Sequence, residues 1–105
     1  MAAAALAELL NLSVHHIEYA AEVAIEHHLG LTCDPIEGLV QIPCIERNAV
    51  AAIRAINAVS ISSALCDYRK ISLDNAIRVM RETGKDICHL YRETSQGGLA
   101  KISLS

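Results

Sequence analysis

The chain has 105 residues, enough for one compact core. Hydrophobic residues make up 52% but aromatics only 3%, with no Trp or Phe, so the apolar mass is Ala, Ile, Leu and Val, suited to closely approaching helices. A net charge of −3, with the nine basic residues scattered, supplies neither a basic stripe nor aromatic platforms for nucleic acid, and no apolar run reaches the length of a membrane span.

Met1–Leu10 is nearly all Ala and Leu, which predicts a helix stopping near Asn11 and apolar almost all round, so that something must cover it. Met1–Leu10 carries Glu8 and lacks a positive leader, so it does not read as a secretory signal, and a cytoplasmic protein is expected. Four cysteines in such a chain are reduced thiols or metal ligands rather than a disulfide framework.

Ser13 is placed as the N-cap of a second helix, with Val14, Ile17, Ala21, Ala24 and Ile25 at helical spacing and Gly30 as its C′ residue. Leu31–Pro43 then holds two prolines, Gly38 and an Asp34-Pro35 step, which argues against helix. A long irregular segment is functional or disordered, and Leu39, Val40 and Ile42 argue against disorder.

Cys44–Cys66 reads as a third helix, with Ile45, Ala49, Ala52, Ile53, Ile56 and Val59 repeating at three and four. Asp67–Ile71 is a polar turn, and Ser72 caps a helix carrying Leu73, Ile77 and Met80, which Gly84 interrupts. Lys85–Glu93 is read as a further short helix and Leu99–Ser105 as an extended tail. The expected fold is all-α: a small helical bundle, one domain over 1–105, with one long Pro/Gly loop at about 31–43 between the second and third helices.

Cys33 and Cys44 stand at the two ends of that loop, which brings two thiolates to one place between helix ends. Spacing alone leaves a core role open, since free cysteine is commonly a small buried hydrophobe, and the spacing matches neither a zinc knuckle nor a ferredoxin run. Cys66 and Cys88 read as packing residues. His15, His16, His27 and His28 read as structural or surface residues, His28 being the least easily set aside because it adjoins the loop.

The strings His28-Leu-Gly-Leu-Thr-Cys-Asp-Pro and Gly38-Leu-Val-Gln-Ile-Pro-Cys-Ile-Glu-Arg-Asn48 closely resemble the cluster-binding region of the iron–sulfur L-serine dehydratases. Met1–Leu10 resembles the alanine-rich helix after that family's first cluster cysteine, and Glu93–Ala100 resembles the C-terminus of the alpha subunit of its two-subunit form. The resemblance implies a C-terminal fragment of a larger catalytic domain, inactive alone, whose first cluster cysteine lies upstream of Met1. It implies a [4Fe–4S] cofactor with Cys33 and Cys44 as two of its ligands, acting as a Lewis acid in turning L-serine into pyruvate and ammonia, an amino-acid catabolic step that feeds gluconeogenesis. Glu46, Arg47 and Asn48 are implied as substrate-side residues, Arg47 as a fork for the carboxylate, with the base outside this chain.

Implied partners are L-serine, the remainder of the catalytic domain, a beta subunit and further copies in a homo-oligomer. Glu37 departs from the family, which carries a small residue there, and the Gly97-Gly98 pair is expected to track into the missing domain or a partner subunit. Two other readings stand beside this one: a non-catalytic helical assembly module, and a small zinc site built from Cys33, Cys44 and a histidine.

Overall fold

The computed structural model describes residues 1–103. Among them stand four α-helices, α1 (Ala2–Leu9), α2 (Val14–Glu26), α3 (Cys44–Ala64) and α4 (Leu73–Asp86), and no strand, so the all-α expectation is met. The last two residues of the tail expected at Leu99–Ser105 lie outside the described residues.

Both serine caps form as their sequence context dictates: Ser13 Oγ accepts the His16 N–H and Ser72 Oγ accepts the Asn75 N–H, each satisfying an orphan donor of the first turn. α2 ends at Glu26, four residues before the expected Gly30. There the rings of His27 and His28 donate from Nδ1 to Val23 O and Ala24 O, occupying carbonyls of the last turn, and Gly30 closes the turn beyond at φ +76°. α4 runs through Gly84, where the backbone stays helical and open space surrounds it, so a separate helix over Lys85–Glu93 does not form. Only a 3₁₀ turn at His89–Tyr91 follows, and Gly98–Lys101 is another 3₁₀ turn rather than an extended tail.

α2 is the hub, packing against α1, α3 and α4. Its buried Tyr19, Ala20 and Val23 meet Ala3 and Ala7 of α1 and Ala55, Ala58 and Val59 of α3. The molecule is long and thin, 50 × 26 × 16 Å, with a radius of gyration of 15.9 Å against about 13 Å for a compact chain of this size. Thinness decides which apolar residues are covered. On α3 the small-residue face (Ala55, Ala58, Ser62) turns inward, while Ile45, Ile53 and Ile56 of the expected stripe are 60–69% exposed.

An ion-pair cluster ties the α3–α4 connection to α2. Arg69, 12% exposed, donates from Nε to the buried Glu22 at 2.6 Å, lies 3.6 Å from Glu18, and sits over the Tyr19 ring. One turn on, Glu26 Oε1 is buried without a partner, and burial, followed by the neighbouring Glu22 carboxylate, raises the Glu26 pKa.

Candidate functional site

The segment between α2 and α3 holds a 3₁₀ turn at Ile36–Gly38 and closes on itself through the Ile36 N–H donated to Ile42 O at 3.0 Å. Leu39, Val40 and Ile42, expected to order it by burial, are instead exposed. Its order comes from polar contacts with the segment after α4, which returns along it as a strap. Cys33 N–H donates to Tyr91 O at 2.8 Å and Glu93 N–H to Cys33 O at 2.9 Å, a two-bond bridge that fixes the Cys33 backbone on both sides.

Asp34, 4% exposed, continues the attachment. Its carboxylate accepts the Leu99 N–H at 2.8 Å and the Thr32 hydroxyl at 2.7 Å, and lies 3.5 Å from Arg47 of α3. The Leu99 amide foremost, then Thr32 and Arg47, hold the Asp34 pKa below the usual carboxylate range against the opposing effect of burial. Gly98 must be glycine here: it adopts φ +58° and a Cβ would overlap the Asp34 carboxylate. The close approach expected of the Gly97-Gly98 pair is therefore made to this chain's own loop and to Leu90. Glu37 takes the left-handed conformation, φ 55°, which is the physical cost of a side chain at a position where a small residue fits best.

The four cysteines are free thiols. Cys33 and Cys44 are both partly buried, and they lie close enough for Cys44 to act electrostatically on Cys33. Burial pushes the Cys33 thiol up; the nearby Glu93 carboxylate adds to this, as does Cys44, while Arg47 opposes it. Cys66 is partly buried and donates weakly to Asp67, and Cys88 is exposed rather than packed. Two free thiols within electrostatic range of each other, one of them on a bridged backbone, have the donor chemistry for two corners of a thiolate-ligated metal centre.

No third His, Cys, Asp or Glu joins them in a metal-holding group among the described residues. The structure therefore does not bring a histidine together with both cysteines as a zinc site built from Cys33, Cys44 and a histidine would need.

Of the residues expected on the substrate side, Arg47 is already engaged: Nη1 donates to Thr32 O at 2.6 Å and Nη2 reaches Thr32 Oγ1. Glu46 and Arg47 line an open pocket of about 310 Å³ at the start of α3, shared with His28, Leu31, Val50 and Arg54, whereas the exposed Asn48 is not part of its wall. Asp34, Glu93 and Arg54 carry no role in the sequence, and His28 stands out there only as adjoining the loop. Asp34 lies inside the Thr-Cys-Asp-Pro string and was findable there, but nothing in the spacing of Glu93, some sixty residues from Cys33, announces their contact.

Fold and site together define a small all-helical protein presenting a strapped pair of free thiols beside an arginine-lined pocket. Residues 1–100 match the serine dehydratase alpha chain family, and the chain belongs to it. It is 56% identical to L-serine dehydratase 2 of Escherichia coli and 54% identical to the L-serine dehydratase of Streptomyces coelicolor, covering 95% of this chain in each case. The L-serine dehydratase of Helicobacter pylori is 54% identical over 96% of it. The chain spans 22% of the length of each of these relatives. No helix among the described residues is long and apolar enough to cross a membrane.

Proposed function

We propose that this chain is the cluster-binding part of an L-serine dehydratase, a C-terminal helical domain that supplies Cys33 and Cys44 as two thiolates of a [4Fe–4S] cluster and is inactive alone. The observation that carries the reading is the placement of two free thiols at the two ends of one loop that is held by Asp34 and the strap. When bound, the cluster supplies a Lewis-acidic iron for the departing hydroxyl of L-serine on the way to pyruvate and ammonia.

This chain's own residues have preparatory tasks. Asp34 and the Tyr91–Glu93 bridge hold the Cys33 backbone, and Glu93 is placed to take the Cys33 proton as metal binds, because ligation requires the thiolate. Glu46, Arg47 and Asn48 form the substrate side, with Arg47 orienting Asp34 and Thr32. The setting proposed is the cytoplasm, in amino-acid catabolism and gluconeogenesis, with the remainder of the catalytic domain, a beta subunit and further copies as partners.

A second reading, a helical assembly module, draws on the exposed stripe of Ile45, Ile53 and Ile56 on α3. Anaerobic iron–sulfide reconstitution of the chain, alone and co-expressed with the upstream part of a relative, separates the two. The cluster reading expects iron and sulfide to be taken up and lost in Cys33→Ser and Cys44→Ser. Absence of iron in the co-expressed form, or uptake indifferent to both substitutions, would sink it.

A further inference from the structure

The pocket at the start of α3 carries charges of both signs that the fold does not use up. Arg54 donates from Nη1 to His27 O at 2.6 Å, and no carboxylate of the described residues lies within ion-pair distance of it, so its positive charge is uncompensated. Arg47, by contrast, is neutralised by Asp34. Glu46 and His28 line the same pocket as Arg54. His28 is oriented from behind: its Nδ1 hydrogen donates to Ala24 O at 2.5 Å, which leaves Nε2 as the lone-pair edge of the neutral ring. Leu31, Pro43 and Val50 supply apolar walls, and the volume of about 310 Å³ is at the small end of the range for small-molecule sites.

We propose that this pocket is an α-amino-acid site in which Arg54 binds the carboxylate and His28 Nε2 and Glu46 receive the ammonium group. The inference rests on the dehydratase reading and deepens it: Arg54 and His28, rather than the engaged Arg47, make the specific contacts to the ligand. One uncompensated cation and two acceptors in one small cavity are complementary to a zwitterion. A plain carboxylate leaves Glu46 unpaired and an amine leaves Arg54 unpaired, so both bind less well.

The test is a titration of the full metal-free reduced chain with L-serine, followed through the ring nitrogens of His28 and the Nε–H of Arg54 by ¹⁵N NMR, with lactate and ethanolamine as half-ligands. L-serine is expected to shift both residues, and each half-ligand to bind roughly tenfold or more weakly, the loss of one charge-assisted hydrogen bond. Arg54→Gln weakens binding by a similar factor. Arg54→Lys, which still reaches His27 O, weakens it less and guards against a folding effect. His28→Asn keeps a donor for Ala24 O, takes the acceptor away from the Nε2 position and also weakens binding.

Unmoved His28 and Arg54 signals at saturating L-serine, or equal affinity in the Arg54→Gln and His28→Asn variants, would overturn the proposal. Iron uptake by the same variants is read separately: retained uptake with no serine response removes this site alone, whereas uptake indifferent to Cys33→Ser and Cys44→Ser removes the dehydratase reading.

Discussion

The Asp34 carboxylate receives the Leu99 N–H at 2.8 Å across sixty-five residues of sequence. That bond joins the strap after α4 to the loop carrying Cys33, so the two segments stand or fall together. Asp34→Ala is expected to cost about 2–3 kcal/mol, the value of hydrogen bonds to a buried charge. Because the folded pKa of Asp34 is lowered, this contribution is present at neutral pH and is lost as pH falls through the folded value, below the ordinary carboxylate range. Hydrogen exchange at the Leu99 and Cys33 amides checks it: both accelerate in the variant while amides of α2 and α3 do not.

Gly98→Ala attacks the same joint from the other side. A methyl group there meets the Asp34 carboxylate at a left-handed φ, so the strap must lift. The expected outcome is faster exchange at the same two amides and faster proteolysis after α4, with helix content by circular dichroism unchanged.

Removing Arg69 leaves Glu22 charged and 2% exposed with no cation. Arg69→Ala is expected to cost about 3–5 kcal/mol, whereas Arg69→Met combined with Glu22→Leu recovers most of the loss, because an apolar pair of similar volume needs no desolvation. Thermal unfolding of the three variants decides this; equal melting temperatures for the single and double variants would contradict it.

Glu26 has a raised folded pKa, so the folded chain holds its proton more tightly than the unfolded chain. Stability from this group therefore falls as pH rises from the ordinary glutamate range through the folded value. Glu26→Gln supplies an amide donor for Glu22 and removes the buried like charge. Its melting temperature should exceed that of the wild type at neutral pH, with the difference shrinking towards pH 4, a pattern read from unfolding curves at several pH values.

Burial first, and then the Glu93 carboxylate, raises the Cys33 pKa and helps to hold that thiol protonated. Glu93→Gln should lower the Cys33 pKa and speed its alkylation by iodoacetamide at pH 8, measured by peptide mass analysis with the exposed Cys88 as internal reference. An unchanged ratio of the two rates would show that the contact has no electrostatic weight.

Much of the helical framework is legible in the sequence because its determinants are local. Ser13 and Ser72 announce their caps within three residues, and the two prolines exclude helix from 31–43. The strings around Cys33 and Cys44 give the family. Which face of α3 is buried was not legible: both faces are apolar, and close packing against the alanines of α1 and α2 favours the smaller side chains of Ala55, Ala58 and Ser62 over Ile53 and Ile56. Nor could local signals show that α4 continues through Gly84, where neighbouring helical bonds outweigh one glycine's propensity cost of about 1 kcal/mol.

The sequence by itself determined the four helices that form, beside a fifth over Lys85–Glu93 that does not, together with a cysteine loop and a family. Only the tertiary structure decided what holds that loop and what faces the pocket beside it. Asp34 with Leu99, Glu93 with Cys33, and Arg54 with His27 are contacts between residues far apart in the chain, and they form only where packed helices bring their ends together.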